Sequence, residues 1–567
     1  MSRASALLVV VVVTAAAGIH KVENGYVMDD DALILYTDDG IHNPRNIPAL
    51  FFHDNLFIVR GDRAAVEDAV QAYRPIFIAT YFWDACIGGK RPLSYHLTNL
   101  VVHLACVALV FWLALALLPP DRSTYAPLAA LWFGIHPVLT EAHVWISGRS
   151  DILAAFFGLL ALNLWVRVVP RAPQRRGARL ALHIGAAASL FLGLLCKETL
   201  AMALLPMLVW AWWLPGRAAN GNESAWQRLR GAVICGSGLL VAVGLYVAIR
   251  VAVLHGAKAG DAPQLLTAAG RAAWVLWEGI RQLLAPSRTA SRVLFYEAEM
   301  MWSGWFVVAW TAALIAVGAV LRYRRHQPLL AWSLLWYAVT LTPAAVIATL
   351  AWPGFGRYLY IPFSVLCIPL VDVAVQLVRR LGRAARACTA LCAALYAGLL
   401  IVMHHGAVND YRDLEHFHRA VLREWPHASF SYYYLGSREL QRGKYVTAVQ
   451  HSEMAVRIKP NSRKYWLQLA TARLRAGDRA GAAEAAREGM QNTGPAAALY
   501  HLLARATWDR DPRRTARYLL DGLLVDPGHA PCRRSIRYLT TAHPRAGAFR
   551  RELARLLLIP RYAGLRR

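Results

Sequence analysis

Long apolar runs fill residues 5–403 of this chain of 567 residues and then stop. They lie near 5–19, 97–118, 126–139, 152–169, 180–195, 200–214, 231–254, 304–320, 329–349, 359–378 and 388–403. A helix crossing about 30 Å of hydrocarbon needs roughly 20 apolar residues, with about 17 as the usual lower bound. The pattern predicts an all-α polytopic membrane domain of about eleven spans. The runs at 126–139, 180–195 and 200–214 are short enough to be interfacial or half-spanning. Composition agrees: 57% of residues are hydrophobic and 17% charged, whereas soluble domains have roughly 45–50% and 25%. Disorder, a disulfide-stapled secreted scaffold and a single compact soluble domain are excluded.

Charge orients the spans. The short interhelical segments 1–4, 118–126, 167–179, 215–230, 321–328 and 379–387 carry 17 Lys and Arg, the densest basic content of the membrane region. Positive residues stay on the cytoplasmic side, so the N-terminus is expected inside and, after an odd number of spans, the C-terminus outside. The first run ends in Thr14, Ala15, Ala16 and Ala17, small residues that also suit a cleaved signal peptide; a retained helix is the favoured reading. Either way residues 20–95 lie outside. That loop holds 11 Asp and Glu against 7 Lys and Arg, in a chain of net charge +27. Within it, 64–85 reads as an amphipathic surface helix, and RAAWVLWEGIRQLL in the loop 255–303 reads as a second one.

After residue 408 the pattern changes to mixed polar helix. Leu435-Gly436, Ala448, Ala455 and Pro460 have tetratricopeptide (TPR) spacing, and Trp466, Leu469, Ala470 and Ala482 repeat it 34 residues on. Leu499, Leu502 and Pro527 give a weaker third copy. Small residues let the helices of each hairpin approach, and stacking buries a continuous core. The expected division is a membrane domain 1–407 and a TPR domain 408–567, with repeats 429–461, 463–495 and 496–528 and a capping helix. The eight cysteines show no C-x-x-C spacing, and Cys388 with Cys392 reads as helix packing rather than a metal pair.

The candidate chemistry lies where ionisable residues interrupt apolar sequence. NGYVMDDDALILYTDDGIHNP, residues 24–44, places Asp29, Asp30, Asp31, Asp38 and Asp39 where the chain leaves the first helix. A carboxylate against apolar surface has its charged form disfavoured and becomes a stronger proton acceptor, suited to a general base or an oxygen ligand for a cation. A solvated acidic loop is the plain alternative. Further groups occur in HPVLTEAHVWISGRSD (His136, Glu141, His143, Trp145, Arg149, Asp151), in CKET (Lys197, Glu198) and in PGFGRYLYIP (Arg357). Such groups at membrane depth either pair with one another or serve function. Together they suit a substrate with an anionic headgroup and a long lipid tail, since a guanidinium holds phosphate oxygens through its planar donor fork.

YVMDDDALI, YRP at 73–75, YHLTNLVVH at 95–103, HPVLTEAHVWISGRSD, KET at 197–199, RYLYIP at 357–362 and the C-terminal repeats occur in one order along the chain. In that order the chain resembles the transmembrane and tetratricopeptide-repeat-containing (TMTC) proteins and their bacterial relatives, membrane glycosyltransferases of the GT-C superfamily. The acidic stretch is expanded relative to that family and the TPR array is short. The resemblance implies transfer of a monosaccharide, mannose-like, from a polyprenyl-phosphate donor to a protein or glycan hydroxyl, with inversion. It implies Asp29 or Asp30 as base and Arg357, Lys197 and Arg149 as contacts to the donor phosphate. Asp31, Arg74, His96, His103, His136, Glu141 and Glu198 would support them, with His136, Glu141 and Arg149 also suited to tying the outer loops together. Neither cofactor nor metal is expected.

The expected partners are membrane lipid, the lipid-linked donor and an acceptor held by the TPR domain, which carries 29 Lys and Arg against 14 Asp and Glu. A basic solenoid face also suits anionic lipid or an acidic glycan. Nucleic acid is not expected outside the cell. The Arg-rich composition, 55 Arg to 7 Lys, points to a bacterial inner-membrane protein with a periplasmic TPR domain. A non-catalytic scaffold for envelope proteins, or a glycan polymerase or ligase with a wider outer cavity, are the alternatives.

Overall fold

A computed structural model describes residues 2–35, 40–55, 58, 72–168, 176–213, 225–254, 265–286, 318, 322, 326–347, 356–508 and 510–565. Regular structure among them is helical throughout, with no strand, as the sequence patterning requires. Contacts divide the chain into two compact units, Met1–Phe417 and His418–Arg567. The division falls after 407 because the helix Arg383–Asp410 runs on past the end of its apolar stretch.

In the first unit, six described helices are long and apolar enough to cross a membrane: Arg3–Glu23, Pro92–Leu117, Ile146–Val168, Arg176–Leu194, Gly356–Arg379 and Arg383–Asp410. A bent pair, Leu229–Cys235 with Ser237–Val253, makes a seventh if counted as one span; it turns by 61° at Gly236. The expected run 126–139 is a helix only over Ala126–Gly134. His136 ahead of Pro137 takes extended backbone, as pre-proline residues prefer, and the helix cannot continue. The run 200–214 begins as a 3-10 turn, Glu198–Ala203, before the helix Leu204–Trp213. The run 329–349 is the helix Pro328–Ile347, and 304–320 lies almost wholly outside the described residues.

The expected surface helix 64–85 differs from the structure. Its described part is the apolar helix Pro75–Gly88, whose start is fixed by Pro75, and residues 64–71 lie outside the described residues. Phe77, Ile78, Tyr81 and Phe82 pack into a local core with Ile34, Leu50 and Ile146 rather than facing a headgroup layer. The second expected surface helix is present as Leu265–Leu284, with Val275 and Leu283 buried in the main core.

Three indole N–H groups in the apolar core are satisfied by backbone: Trp165 donates to Met207 O (2.8 Å), Trp332 to Pro206 O (2.8 Å) and Trp336 to Ile361 O (3.2 Å), whereas those of Trp132 and Trp210 find no partner among the described residues. Without water an unmet donor there would cost several kcal/mol, on the order of the water-to-hydrocarbon transfer penalty. Conversely, Leu391, Leu395, Leu399 and Val402 of Arg383–Asp410 are exposed. An apolar stripe of that kind is stable only against lipid or another protein.

The second unit is a run of helical hairpins. First helices start at Ser429, Arg463, Ala497 and Ala530, and their partners are Tyr445–Ile458, Arg479–Thr493, Pro512–Val525 and Ala546–Leu557. The three expected repeats are hairpins, and the expected single capping helix is a fourth hairpin. Gly443 and Gly477, one repeat apart, adopt φ of 76° and 86° in the turns, a conformation that costs other residues energy. Gln468 stitches neighbouring repeats, donating to Tyr433 O at 2.7 Å and accepting from Ser452 Oγ at 3.2 Å.

Candidate functional site

Polar residues gather at one end of the first unit, where the first and last of its long helices end and Pro92–Leu117, Arg149–Val168 and Tyr360–Arg379 begin. The loop after the first helix is anchored there: Asn24 Nδ2 donates to Val408 O at 3.1 Å and Gly25 N to Arg412 O at 2.8 Å. Met28 then takes φ 55°, unusual for a side-chain-bearing residue and a sign of a conformation imposed by its surroundings.

The two neighbouring carboxylates have different fates. Asp30 is fully buried and accepts three hydrogen bonds, from Ser147 N (3.0 Å), Ser147 Oγ (2.6 Å) and Val27 N (3.1 Å). Burial pushes its pKa up to about 7 against the pull of those donors. Asp29 is exposed, yet protein crowds it from most sides. Desolvation raises its pKa, and the nearby positive charge of Arg357 opposes the rise. The side chain of Asp31 and all of Asp38 and Asp39 lie outside the described residues.

Asp30 meets Ser147 because the segment ISGRSD folds tightly. A Cβ on Gly148 would stand 2.8 Å from Ala142 O and 2.9 Å from Glu141 O, so only glycine allows that approach. The next residue, Arg149, is 0% exposed. It pairs with Asp84 at 2.5 Å and donates to Asn99 Oδ1 (2.6 Å), Thr80 Oγ1 (3.1 Å) and Tyr95 O (2.8 Å). Its guanidinium also lies 4.8 Å from the centre of the Tyr81 ring. All three of its nitrogens are engaged, so the expected contact to a donor phosphate is corrected: Arg149 ties the helices Pro75–Gly88, Pro92–Leu117 and Arg149–Val168 together.

Beside this knot lies a second group of charges. Arg74 grips Glu198 through two parallel bonds, Nε–Oε2 2.9 Å and Nη2–Oε1 2.7 Å, and Arg250 approaches the same carboxylate at 3.6 Å. Lys197, 4% exposed, pairs with Asp151 at 2.5 Å and sits 4.9 Å from the Tyr358 ring centre. Arg357 lies 4.7 Å from the Trp145 ring centre and 5.0 Å from that of Tyr358. Its backbone N donates to Glu141 Oε2 at 3.3 Å, while its guanidinium stays 3.9 Å from Oε1. Glu141 is buried, which raises its pKa, and Arg357 counters the rise. The Nε of Arg357 makes no hydrogen bond among the described residues. Its Nη2 donates to the Tyr358 hydroxyl at 3.2 Å, so of the three cations expected at a phosphate Arg357 and Lys197, the latter bonded only to Asp151 among the described residues, keep N–H donors to spare.

The expected histidines separate from this group. His103 Nε2 donates to Gly134 O (3.1 Å), so its Nδ1 accepts from the Tyr360 hydroxyl (2.7 Å). Its ring stacks on His143 at 4.0 Å, and His143 in turn receives the buried Lys21 ammonium at 2.9 Å. His96 approaches Gly25 O at 3.4 Å, and His136 reaches Leu283 O at 3.0 Å, tying its loop to the helix Leu265–Leu284. Among the described residues no group of three His, Cys, Asp or Glu is arranged to hold a metal ion.

Sequence reasoning missed Lys21, Asp84, Ser147, Arg250 and Tyr358. Two of them carried a visible signal: Asp84 interrupts YFWDACI and Arg250 interrupts VAIRVAV, each a lone charge inside an apolar helix.

Part of the chain has sequence relatives. A stretch of 160 residues is 31% identical to human protein O-mannosyl-transferase TMTC3, covering 28% of this chain and 16% of the relative. Drosophila melanogaster protein O-mannosyl-transferase Tmtc2 is 35% identical over 166 residues, 29% of this chain and 17% of the relative. Human protein O-mannosyl-transferase TMTC4 is 28% identical over 212 residues, 34% of this chain and 27% of the relative. The aligned part therefore spans well under a third of these relatives' own length. No protein-family profile matches the chain, and no solved structure matches it. In sequence the chain is TMTC-like.

Proposed function

We propose that this chain transfers a mannose-like sugar from a polyprenyl-phosphate donor to a protein hydroxyl, in the manner of a GT-C glycosyltransferase. It does so on the outer face of a bacterial inner membrane, with the N-terminus cytoplasmic. The relatives' names supply the reaction class. The observation that carries the mechanism is the contrast between Asp29 and Asp30: one carboxylate is accessible beside Arg357, and its buried neighbour fixes the turn that presents it.

Asp29 takes the proton of the acceptor hydroxyl as that oxygen attacks the anomeric carbon from the face opposite the phosphate. The carbon–oxygen bond to phosphate breaks, its electron pair leaves on the phosphate, and the sugar inverts. Arg357 meets the developing charge through its spare N–H donors, with Arg74 and Arg250 adding positive potential nearby. A desolvated carboxylate is a stronger base than one in water, and the proximity of a cation keeps it ionised when the substrate arrives.

The test is transfer in proteoliposomes from radiolabelled polyprenyl-phosphate sugars. Asp29→Asn should lower the rate by about 10²–10⁴-fold with thermal stability unchanged, the range ascribed to general base catalysis. Transfer from none of the donors, or full activity in Asp29→Asn, overturns the reading.

A further inference from the structure

The second unit contains a cavity of about 700 Å³ lined by the first helices of successive hairpins, Arg463–Arg475, Ala497–Thr507 and Ala530–Thr541. Arg479, Arg505 and Arg534 line it, and Arg505 and Arg534 make no ion pair or side-chain hydrogen bond among the described residues. Among the described residues around it there is no carboxylate. Trp508 and Tyr538 form one wall, ring centres 6.0 Å apart, and Leu474 contributes another apolar surface. His501 is held by Ser535 at 2.9 Å; burial first, then the charges of Arg505, His529 and Arg534, lower its pKa to about 4. Among the described lining residues the charge of this cleft is positive.

A second cavity of the unit, about 500 Å³, is also rich in arginine but has its own acids. There Arg514 pairs with Asp511 at 3.2 Å, and Glu484 lies 3.5 Å from Arg473. The first cleft, which shares Arg479 with the second, differs in having no acid of its own among its described lining residues.

We propose that this cleft binds an extended acidic polypeptide segment. Arg505 and Arg534 meet its Asp or Glu carboxylates, and Trp508 and Tyr538 take an adjacent aromatic or aliphatic side chain. The cavity has the volume of a small-ligand site, room for a few side chains. Alternating carboxylates and apolar groups along a strand match a cleft whose cations and rings come from consecutive repeats. A planar layer of lipid headgroups would supply anions but no apolar side chain to enter between the rings. The inference rests on the TPR unit alone and does not require that the first unit transfers sugar.

The full-length protein in phosphatidylcholine nanodiscs is titrated with a fluorescein-labelled peptide of repeating Glu-Asp-Phe and with its Gln-Asn-Phe counterpart. The acidic peptide should bind, more weakly as salt rises, and the neutral one at least roughly tenfold more weakly. Arg505→Ala with Arg534→Ala should cost a similar factor, Trp508→Ala should weaken both peptides, and Arg505→Lys with Arg534→Lys should retain salt-dependent binding. Both arginines are exposed, so the variants remain folded. Equal affinity for the two peptides, or unchanged affinity in the double alanine variant, overturns the proposal. So does a double variant that keeps the peptide and loses only binding to phosphatidylglycerol vesicles, which would assign the cleft to lipid.

Discussion

Cations in the two units live under different rules. At the polar end of the first unit, Arg149, Lys197, Arg74 and Arg357 each face a carboxylate: Asp84, Asp151, Glu198 and Glu141. In the TPR cleft, Arg505 and Arg534 share a cavity with no carboxylate among its described lining residues. Burial explains the difference. Removing a charge from water costs several kcal/mol, on the order of the desolvation penalty for a single ion, unless a partner and hydrogen bonds offset it. A guanidinium at a water-filled cleft has no such cost and can wait for a ligand. A matched charge therefore reports on architecture, and an unmatched one on binding; Arg357, matched yet with N–H donors to spare, belongs to both.

The comparison breaks first at Arg149. Arg149→Met should destabilise the first unit by about 3–5 kcal/mol, the usual result of leaving a buried partner charge unpaired. Arg149→Lys should recover part of that, because an ammonium keeps the charge and loses the fork that reaches Asn99, Thr80 and Tyr95. Thermal unfolding in detergent with size-exclusion homogeneity measures both. An unchanged melting temperature in Arg149→Met would show that the knot around Asp84 is dispensable.

Ser147→Ala comes next. It removes the 2.6 Å bond to Asp30 and should cost about 1–3 kcal/mol, as for a buried acceptor losing a donor. The pH dependence has a definite sign. Asp30 has a pKa near 7 in the folded protein and an ordinary carboxylate value when unfolded, so the folded state holds the extra proton between about pH 4 and 7. Stability falls as pH rises through that window. Losing a donor that favours the ionised form should make Ser147→Ala worse near pH 8 than near pH 5. A penalty independent of pH would mean that Asp30 does not titrate in the fold.

How much of this was legible in the sequence follows from the same distinction. Apolar runs and the 34-residue TPR interval are local patterns, and both survive in the structure as helices and hairpins. Charges interrupting apolar sequence marked Asp30, Arg149, Lys197, Glu198 and Arg357 for the same local reason. Their partners were not legible, because pairing is long-range: Arg74 and Glu198 are 124 residues apart, and Lys21 and His143 are 122. In the sequence Arg149 therefore fits both a phosphate contact and a tie between loops, and its partner Asp84, 65 positions away, is what marks it as a tie. Nor could the sequence rank Asp29 against Asp30, since which of two adjacent carboxylates turns inward depends on Met28, Ser147 and Gly148 meeting in space.

Arg357 offers a subtler test, on kinetics rather than stability. Its charge favours the ionised form of Asp29, whose pKa desolvation raises. A general base works only when deprotonated, so transfer should climb with pH through the pKa of Asp29. Arg357→Gln removes the opposing charge and should move the acid limb of kcat/KM to higher pH, besides lowering the maximum. A lowered maximum with an unmoved limb would separate Arg357 from Asp29 and leave it as a donor contact only.

The smallest effect is expected where the two units differ most. Replacing Arg505 and Arg534 by alanine removes exposed charges that have no ion-pair partner among the described residues, so stability near neutral pH should change by no more than about 0.5 kcal/mol, as for exposed sites away from special contacts. The pH dependence should still respond. His501 has a pKa of about 4 in the folded unit and an ordinary value near 6.5 when unfolded, so its neutral form is favoured by folding. Stability is lost as pH falls from about 6.5 toward 4, because the unfolded chain takes up a proton that the fold refuses. Without the two guanidiniums the folded His501 should titrate at higher pH and that acid loss should shrink, while the burial contribution remains. Thermal unfolding followed across this pH range distinguishes the cases. An acid profile identical to the parent's would mean that burial alone holds His501 neutral, and that the field in the cleft is weaker than the arginine pair implies.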